Sequence, residues 1–375
     1  MSALFTPLKL GSTTISNRIG MSALTRNRST ATVPNELMLK YYVQRAKGGA
    51  GLIVSEGILI TRQGTEWQQA PGIWSQAQID GWKKITDAVH EADSKIYAQL
   101  WHLGRVSHPD APEQIAAGVP VYGPSAIPAR GGKFRFLPGQ PGYVTPTQIV
   151  DPTLIVAQYK QAAINAKEAG FDGVELHGAG GYLVHQFLDS SSNQRTDKWG
   201  GSPENRARFA LETLKALIEV WGPDVGLKIS PAFGYNDVGM PLQDTVDTYG
   251  YLLREVENLG LSYVTLMRYL AFADVEYDGK LRATQHDVVE TYSPFLTNTP
   301  IFVTSDVTPA EAEALVGSGK AAGVFIGRNW ISHPDLARRM KTGKALDNAL
   351  DFAGFYGTEG GDPAVGYVDY PEATY

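Results

Sequence analysis

The run GVELH at residues 173–177 is a short apolar stretch that ends on a histidine, and short apolar runs of this kind recur seven more times. The other runs are IGMSAL at 19–24, GLIVS at 51–55, IYAQLW at 96–101, GLKIS at 226–230, YVTLM at 263–267, IFVT at 301–304 and VFIG at 324–327. Short, continuously apolar runs of this kind are what strands buried on both faces look like. Between them lie helical patterns. IDGWKKITDAV at 79–89 repeats its apolar positions at three and four residues. Ser202 stands as N-cap before Pro203, which suits a first helical position, and Thr308-Pro309 reads the same way, with Glu311 placed for a capping box. Eight strands, each with room for a helix before the next, predict an α/β fold, a parallel (β/α)8 barrel, where a doubly wound sheet more often stops at five to seven strands.

Two segments stand apart from this alternation. LFTPLKLGSTTISNR near the N-terminus reads as a hairpin closing the barrel bottom. Residues 105–150, rich in Pro, Gly and aromatics, read as a lid-like excursion after strand three. The tail, 350–375, has no clear periodicity, and no linker interrupts the chain, so residues 1–375 read as a single domain.

Composition narrows the function. The chain has 375 residues, 43% hydrophobic and 19% charged, the balance of an ordinary soluble protein. A formal net charge of −6 gives no basic footprint for nucleic acid. The chain has no cysteine, which excludes disulfides, thiolate metal sites and cysteine nucleophiles. No secretory pattern opens the chain and no run is long enough to span a bilayer, so a cytoplasmic protein without membrane contact is expected.

In such barrels the residues just past the strand ends form the site. Those positions hold Thr25, Gly57, Gln99, Trp101, His177, Lys228, Ser305, Gly327 and Arg328. The ends of strands seven and eight commonly bind phosphate, where a glycine admits backbone N–H groups and an arginine grips the anion. A phosphorylated ligand is therefore expected. Gln99 and Lys228 offer donors to a polar heterocycle, and a cation beside the N1–C2=O edge of a flavin would stabilise its anionic reduced form. No Asp/His cluster at metal spacing is visible.

These residues sit in longer motifs. HGAGGYLVHQFLDSSSNQRTDKWGGSPENRARF at 177–209 resembles the signature of the Old Yellow Enzyme family, and ALTRNR at 23–28, YYVQRA at 41–46, GLIVSEG at 51–57, QLWHLGR at 99–105, GRNW at 327–330 and GYVDYP at 366–371 extend the resemblance over essentially the whole chain. The resemblance implies bound FMN, NADPH or NADH as hydride donor, and reduction of an electron-poor alkene activated by a carbonyl or nitro group, by a monomer or homodimer. By position it implies that Ala23, Leu24, Thr25, Gly57 and Gln99 line or bond the flavin ring. Lys228 would lie at the ring's N1/O2 edge, while Ser305, Gly327 and Arg328 would hold the phosphate. His177 would bind the substrate carbonyl beside the flavin, Tyr182 would protonate Cα, and Trp101 and Tyr356 would shape the substrate pocket. A tyrosine, with pKa about 10 in water, keeps its proton at neutral pH and can give it to a basic enolate carbon.

One position departs from the family. Three residues after the first histidine its members usually carry Asn or His, which completes a two-donor clamp on the substrate oxygen. Here that residue is Gly180. Losing one such donor typically costs ~3 kcal/mol. Three readings follow: a weak enone reductase, a biosynthetic enzyme for a bulky or atypical substrate, or a flavoenzyme turned to isomerisation or oxidation. His185 is a candidate substitute donor. Outside these, a catalytically silent flavin-binding barrel, a hydrolase and a Schiff-base aldolase on Lys228 remain open. His102 and His108 read as polar loop residues, and Asn193, Arg195 and Asp197 as a mutually bonded loop scaffold.

Overall fold

The structure is a computed structural model that describes residues 2–131, 142–357 and 360–375. Eight parallel strands close on themselves: β1 (Ile19–Met21), β2 (Leu52–Val54), β3 (Ile96–Trp101), β4 (Gly173–Gly178), β5 (Val225–Ile229), β6 (Tyr263–Met267), β7 (Ile301–Thr304) and β8 (Gly323–Ile326). Each pairs with its neighbours in chain order, β8 returns to β1, and β2 meets β3 at Ile53↔Ile96, so no edge is left among them. The expected barrel is the observed one.

The helices α1 (Glu36–Lys47), α2 (Gln76–Glu91), α3 (Pro152–Glu168), α4 (Pro203–Trp221), α5 (Leu242–Glu257), α6 (Val288–Tyr292), α7 (Pro309–Gly317) and α8 (Arg328–Ser332) follow the strands in turn. Their starts are local chemistry. Ser75 and Gln78 form a full capping box on α2, and Ser202 accepts from Asn205 N–H ahead of Pro203 on α4. At α7 the expected box is half-made: Thr308 accepts from Glu311 N–H, but the Glu311 carboxylate pairs with Arg268 instead of turning back.

Strand alternation separates two sets of side chains. Ala98, Leu100, Val174, Leu176, Leu227, Ile229, Val264 and Leu266 pack outward against the helices. Tyr97, Tyr263, Phe302 and Phe325 point inward with Leu52 and Val54, and the antiparallel hairpin of Leu8–Leu10 and Thr13–Ile15 adds Leu10 and Ile15 to that cluster. The hairpin thus plugs the barrel bottom, as its sequence suggested. Each of the four rings fits because the strand beside it offers glycine. A Cβ at Gly173, Gly226, Gly323 or Gly20 would come within 2.4 Å of Tyr97, Tyr263, Phe302 or Phe325 respectively.

The excursion after β3 is more ordered than its composition suggested. It holds a helix at Pro112–Ala117, and Tyr122–Gly123 pairs in parallel with Thr147–Gln148. Residues 132–141 of that expected lid lie outside the described residues. Among the described residues no helix is long and apolar enough to cross a membrane.

Candidate active site

Above the aromatic floor, the inward residues of the middle strands turn polar. Gln99 Nε2 donates to Glu175 Oε1 at 2.7 Å, and Tyr263 donates to Glu175 Oε2 at 3.1 Å. Burial raises the Glu175 pKa, opposed first by the Lys228 charge. Lys228 is 7% exposed and donates to Ser22 Oγ at 3.2 Å. Burial lowers its pKa and Glu175 opposes the shift. A buried ammonium with this set of neighbours stays available to an anionic or carbonyl edge above it. Gln99 has one amide N–H committed to Glu175, which the sequence did not suggest.

At the strand ends, Trp101, His177 and Tyr182 form a triangle. Trp101 and His177 lie 6.2 Å apart with planes 22° from parallel, and the Tyr182 ring stands edge-on to both, at 5.0 Å from each. Ala179 N–H donates to His177 Nδ1 at 3.4 Å. An accepting Nδ1 leaves the proton on Nε2, so the ring is a neutral donor. Burial, the Lys228 charge and His185 hold its pKa well below the ordinary value. Tyr356 joins this wall through Trp67, at 4.9 Å between ring centroids, and Trp67 in turn faces Trp101. Trp67 was not singled out from the sequence, because it lies in an irregular segment between β2 and α2 with no pattern to mark it.

Gly57 packs against the Trp101 side chain. A Cβ there would meet the Trp101 ring at 2.6 Å, so the glycine makes room for tryptophan. Ala23, Leu24 and Thr25 are half-buried just past β1. At the far side, Ser305 has φ +87° and a buried Oγ without a partner. A Cβ on Gly327 would meet only Leu24, at 3.6 Å, and no side chain caps α8 behind it. Arg328 is paired with Asp306 and stacked 4.6 Å over the Phe272 ring, so its guanidinium is engaged at the rim.

Gly180 adopts φ +64°. Its N–H donates to Ser230 Oγ and its carbonyl accepts from Asn236 Nδ2, both at 2.8 Å. Neither backbone group is left to replace the missing donor. A Cβ at this position would meet Tyr182 Cε2 at 3.2 Å, so a tyrosine ring, not open space, lies where a side chain would go. His185 Nδ1 accepts from Gly181 N–H at 3.2 Å, Ser230 Oγ lies 3.3 Å away, and burial lowers its pKa to about 4, so this ring too is neutral and bonded to the turn through Nδ1.

His102 and His108 are not open loop residues: each is 1% exposed and accepts a backbone N–H, from Gly104 and Asp110 respectively. Asn193, Arg195 and Asp197 are bonded to one another as expected, with Asn193 Nδ2 also reaching the carbonyls of Phe187 and Trp199.

Residues 3–347 match the family described as NADH:flavin oxidoreductase / NADH oxidase. The chain is 36% identical over 389 residues to 12-oxophytodienoate reductase 7 of Oryza sativa subsp. japonica, covering 98% of this chain and 94% of that one. Among solved structures, morphinone reductase superposes with a TM-score of 0.87 at 36% identity, over 99% of this chain and 96% of the other. The old yellow enzyme homologue from Zymomonas mobilis gives 0.87 at 32% identity, over 98% and 99%.

Proposed function

The chain belongs to the NADH:flavin oxidoreductase / NADH oxidase family, the Old Yellow Enzyme group that its sequence resembles, and is an NAD(P)H-dependent FMN ene-reductase; from that premise we propose that it reduces the C=C bond of a small enone or similar alkene with Tyr182 as proton donor. The residues fit the cofactor. The orphaned Ser305 hydroxyl, the open Gly327 backbone and Arg328 suit a phosphate, and buried Lys228 suits the electron-rich edge of a flavin. Ala23, Leu24, Thr25, Gly57 and Gln99 are the proposed ring contacts, and residues 1–375 work as one domain in this reading.

The chemistry that bound FMN would supply is a hydride, drawn from NAD(P)H, for the alkene Cβ. His177 Nε2–H donates to the substrate oxygen, where negative charge grows as that hydride arrives, so the bond strengthens toward the transition state. The Tyr182 O–H bond then breaks as a C–H bond forms at Cα, and solvent reprotonates the phenolate. Trp101, Trp67 and Tyr356 exclude water from the alkene. The observation that carries this reading is the triangle of Trp101, His177 and Tyr182, with the His177 tautomer fixed by Ala179.

The test is anaerobic. NADPH should bleach the flavin band, and cyclohexenone should restore it with formation of saturated ketone. Tyr182→Phe should slow the second phase by about a hundredfold, the usual scale of a lost general acid, and leave the first within twofold. A bleached band that no enone restores would point to the atypical-substrate or silent reading.

A further inference from the structure

The turn that carries the proposed proton donor, 178–182, reads Gly-Ala-Gly-Gly-Tyr, so three of its five residues bring no side chain to stiffen it. Glycine loses more backbone freedom on ordering than any other residue. The order here comes from β5 and the segment after it. Ser230 takes the Gly180 N–H, and Asn236 Nδ2 donates to the Gly180 carbonyl. Tyr235 O and Asn236 Cβ press on Gly181, where an added Cβ would come within 2.5 and 2.7 Å of them.

Asn236 and its neighbour Asp237 are both left-handed, at φ +61° and +59°. Conformations of this kind persist when the surroundings over-determine them, and here they do. The Asp237 carboxylate accepts from Arg130 N–H at 2.8 Å, from Arg130 Nη2 at 2.9 Å and from Arg282 Nε at 2.9 Å. Its carbonyl accepts from buried Arg105 at 2.7 Å. Burial works against the charge, yet the Arg130 and Arg282 hydrogen bonds hold the Asp237 pKa below its ordinary value. Arg105 and Arg130 come from the excursion after β3, and Arg282 from the segment after β6. Three arginines from two segments at the active face thus converge on one residue whose neighbour grips the Tyr182 turn.

We propose that Asn236 is a positioning residue for proton transfer: its amide fixes the Gly180 peptide, and through it the Tyr182 ring. The proposal rests on Tyr182 being the proton donor. Without the Asn236 donor a glycine-rich turn relaxes, and the Tyr182 hydroxyl samples positions off the substrate Cα. A displacement of about 1 Å at a reacting group can cost a hundredfold in rate.

Asn236→Gly tests this on the purified flavin-loaded enzyme, because glycine keeps the left-handed backbone while it removes the donor together with the Cβ that packs on Gly181. Stopped-flow should show reoxidation by cyclohexenone slowed tenfold or more, with a larger solvent deuterium isotope effect on that phase. Reduction by NADPH should stay within twofold. Asn236→Asp, isosteric and tolerant of the same backbone but lacking the N–H, should show the same loss. A fall in melting temperature with reoxidation unchanged, or equal slowing of both phases, would make Asn236 merely structural and overturn the proposal. Tyr182→Phe is run in parallel. If it leaves reoxidation unchanged, the donor assignment fails and the proposal with it. If it slows reoxidation while Asn236→Gly does not, the proposal alone falls.

Discussion

At φ +64° Gly180 occupies a conformation that asparagine enters more readily than other side chains do, so a donor can be restored there. The obstacle is the Tyr182 ring, which a new Cβ meets at 3.2 Å. A regained donor is worth up to ~3 kcal/mol, and the left-handed backbone together with the shifted ring takes back roughly 1–2 kcal/mol. Gly180→Asn should therefore raise kcat for cyclohexenone by about tenfold, while Gly180→Ala, with the same Cβ and no donor, should lower it. Steady-state kinetics on the pair checks this, and an asparagine no faster than alanine would mean that no substrate oxygen reaches that position. The absence of the second clamp residue was legible in the motif itself. What ties down its backbone was not, because Ser230 and Asn236 stand 50 and 56 residues away. The fixed tautomer of His177 was also hidden, since it depends on one backbone N–H from Ala179.

At the scale of elements, the tail was the least readable part, and the structure explains why. Its anchors are arginines and not an apolar period. Arg26 Nη2 donates to Gly366 O at 2.6 Å, Arg28 Nη2 to Gly354 O at 2.8 Å and Arg45 Nη2 to Tyr367 O at 3.3 Å. Tyr367 stacks on Tyr41 at 4.2 Å. The motifs at 23–28, 41–46 and 366–371, far apart in the chain, are therefore one another's partners, and together they hold up the segment that presents Tyr356. Tyr367→Ala should cost about 3 kcal/mol of stability by analogy with other buried aromatic truncations. It should also raise KM for the enone more than it changes kcat, because Tyr356 loses its support while Tyr182 and His177 keep theirs. Urea unfolding and steady-state kinetics measure the two effects. An unchanged KM in a destabilised protein would detach the tail from the pocket. The strands, by contrast, were readable almost to the residue, because burial on both faces leaves little but apolar residues along each one.

For the whole molecule, histidine chemistry makes the active end the acid-sensitive end. Four of the seven histidines, His102, His108, His177 and His185, accept a backbone N–H through Nδ1, and all four lie on β3, β4 or the segments that follow them. Burial comes first among the causes that lower their pKa values, to about 3 for His102 and about 4 for His185. The unfolded value is ~6.5, so below it the unfolded chain binds more protons than the folded one. Stability from these groups is then complete above pH ~6.5 and is lost as pH falls toward the folded values, by roughly 1.4 kcal/mol per pH unit for each of His102 and His185. Glu56 opposes them: burial pushes its carboxyl up to about 7, so its share is full in acid and lost as pH rises through that value. Glu175, whose pKa burial also raises, acts in the same sense, and two carboxyls offset only part of four histidines, so the balance falls with acid. Because protonation breaks N–H bonds in loops at the active face while the aromatic floor and hairpin at the other end titrate nothing in this range, the two ends should separate. Lowering the pH from 7 to 5 should drop the melting temperature, and flavin should leave before the barrel's far-ultraviolet dichroism does. A melting temperature flat across that interval, or flavin and dichroism lost together, would mean that the barrel responds to acid as one unit.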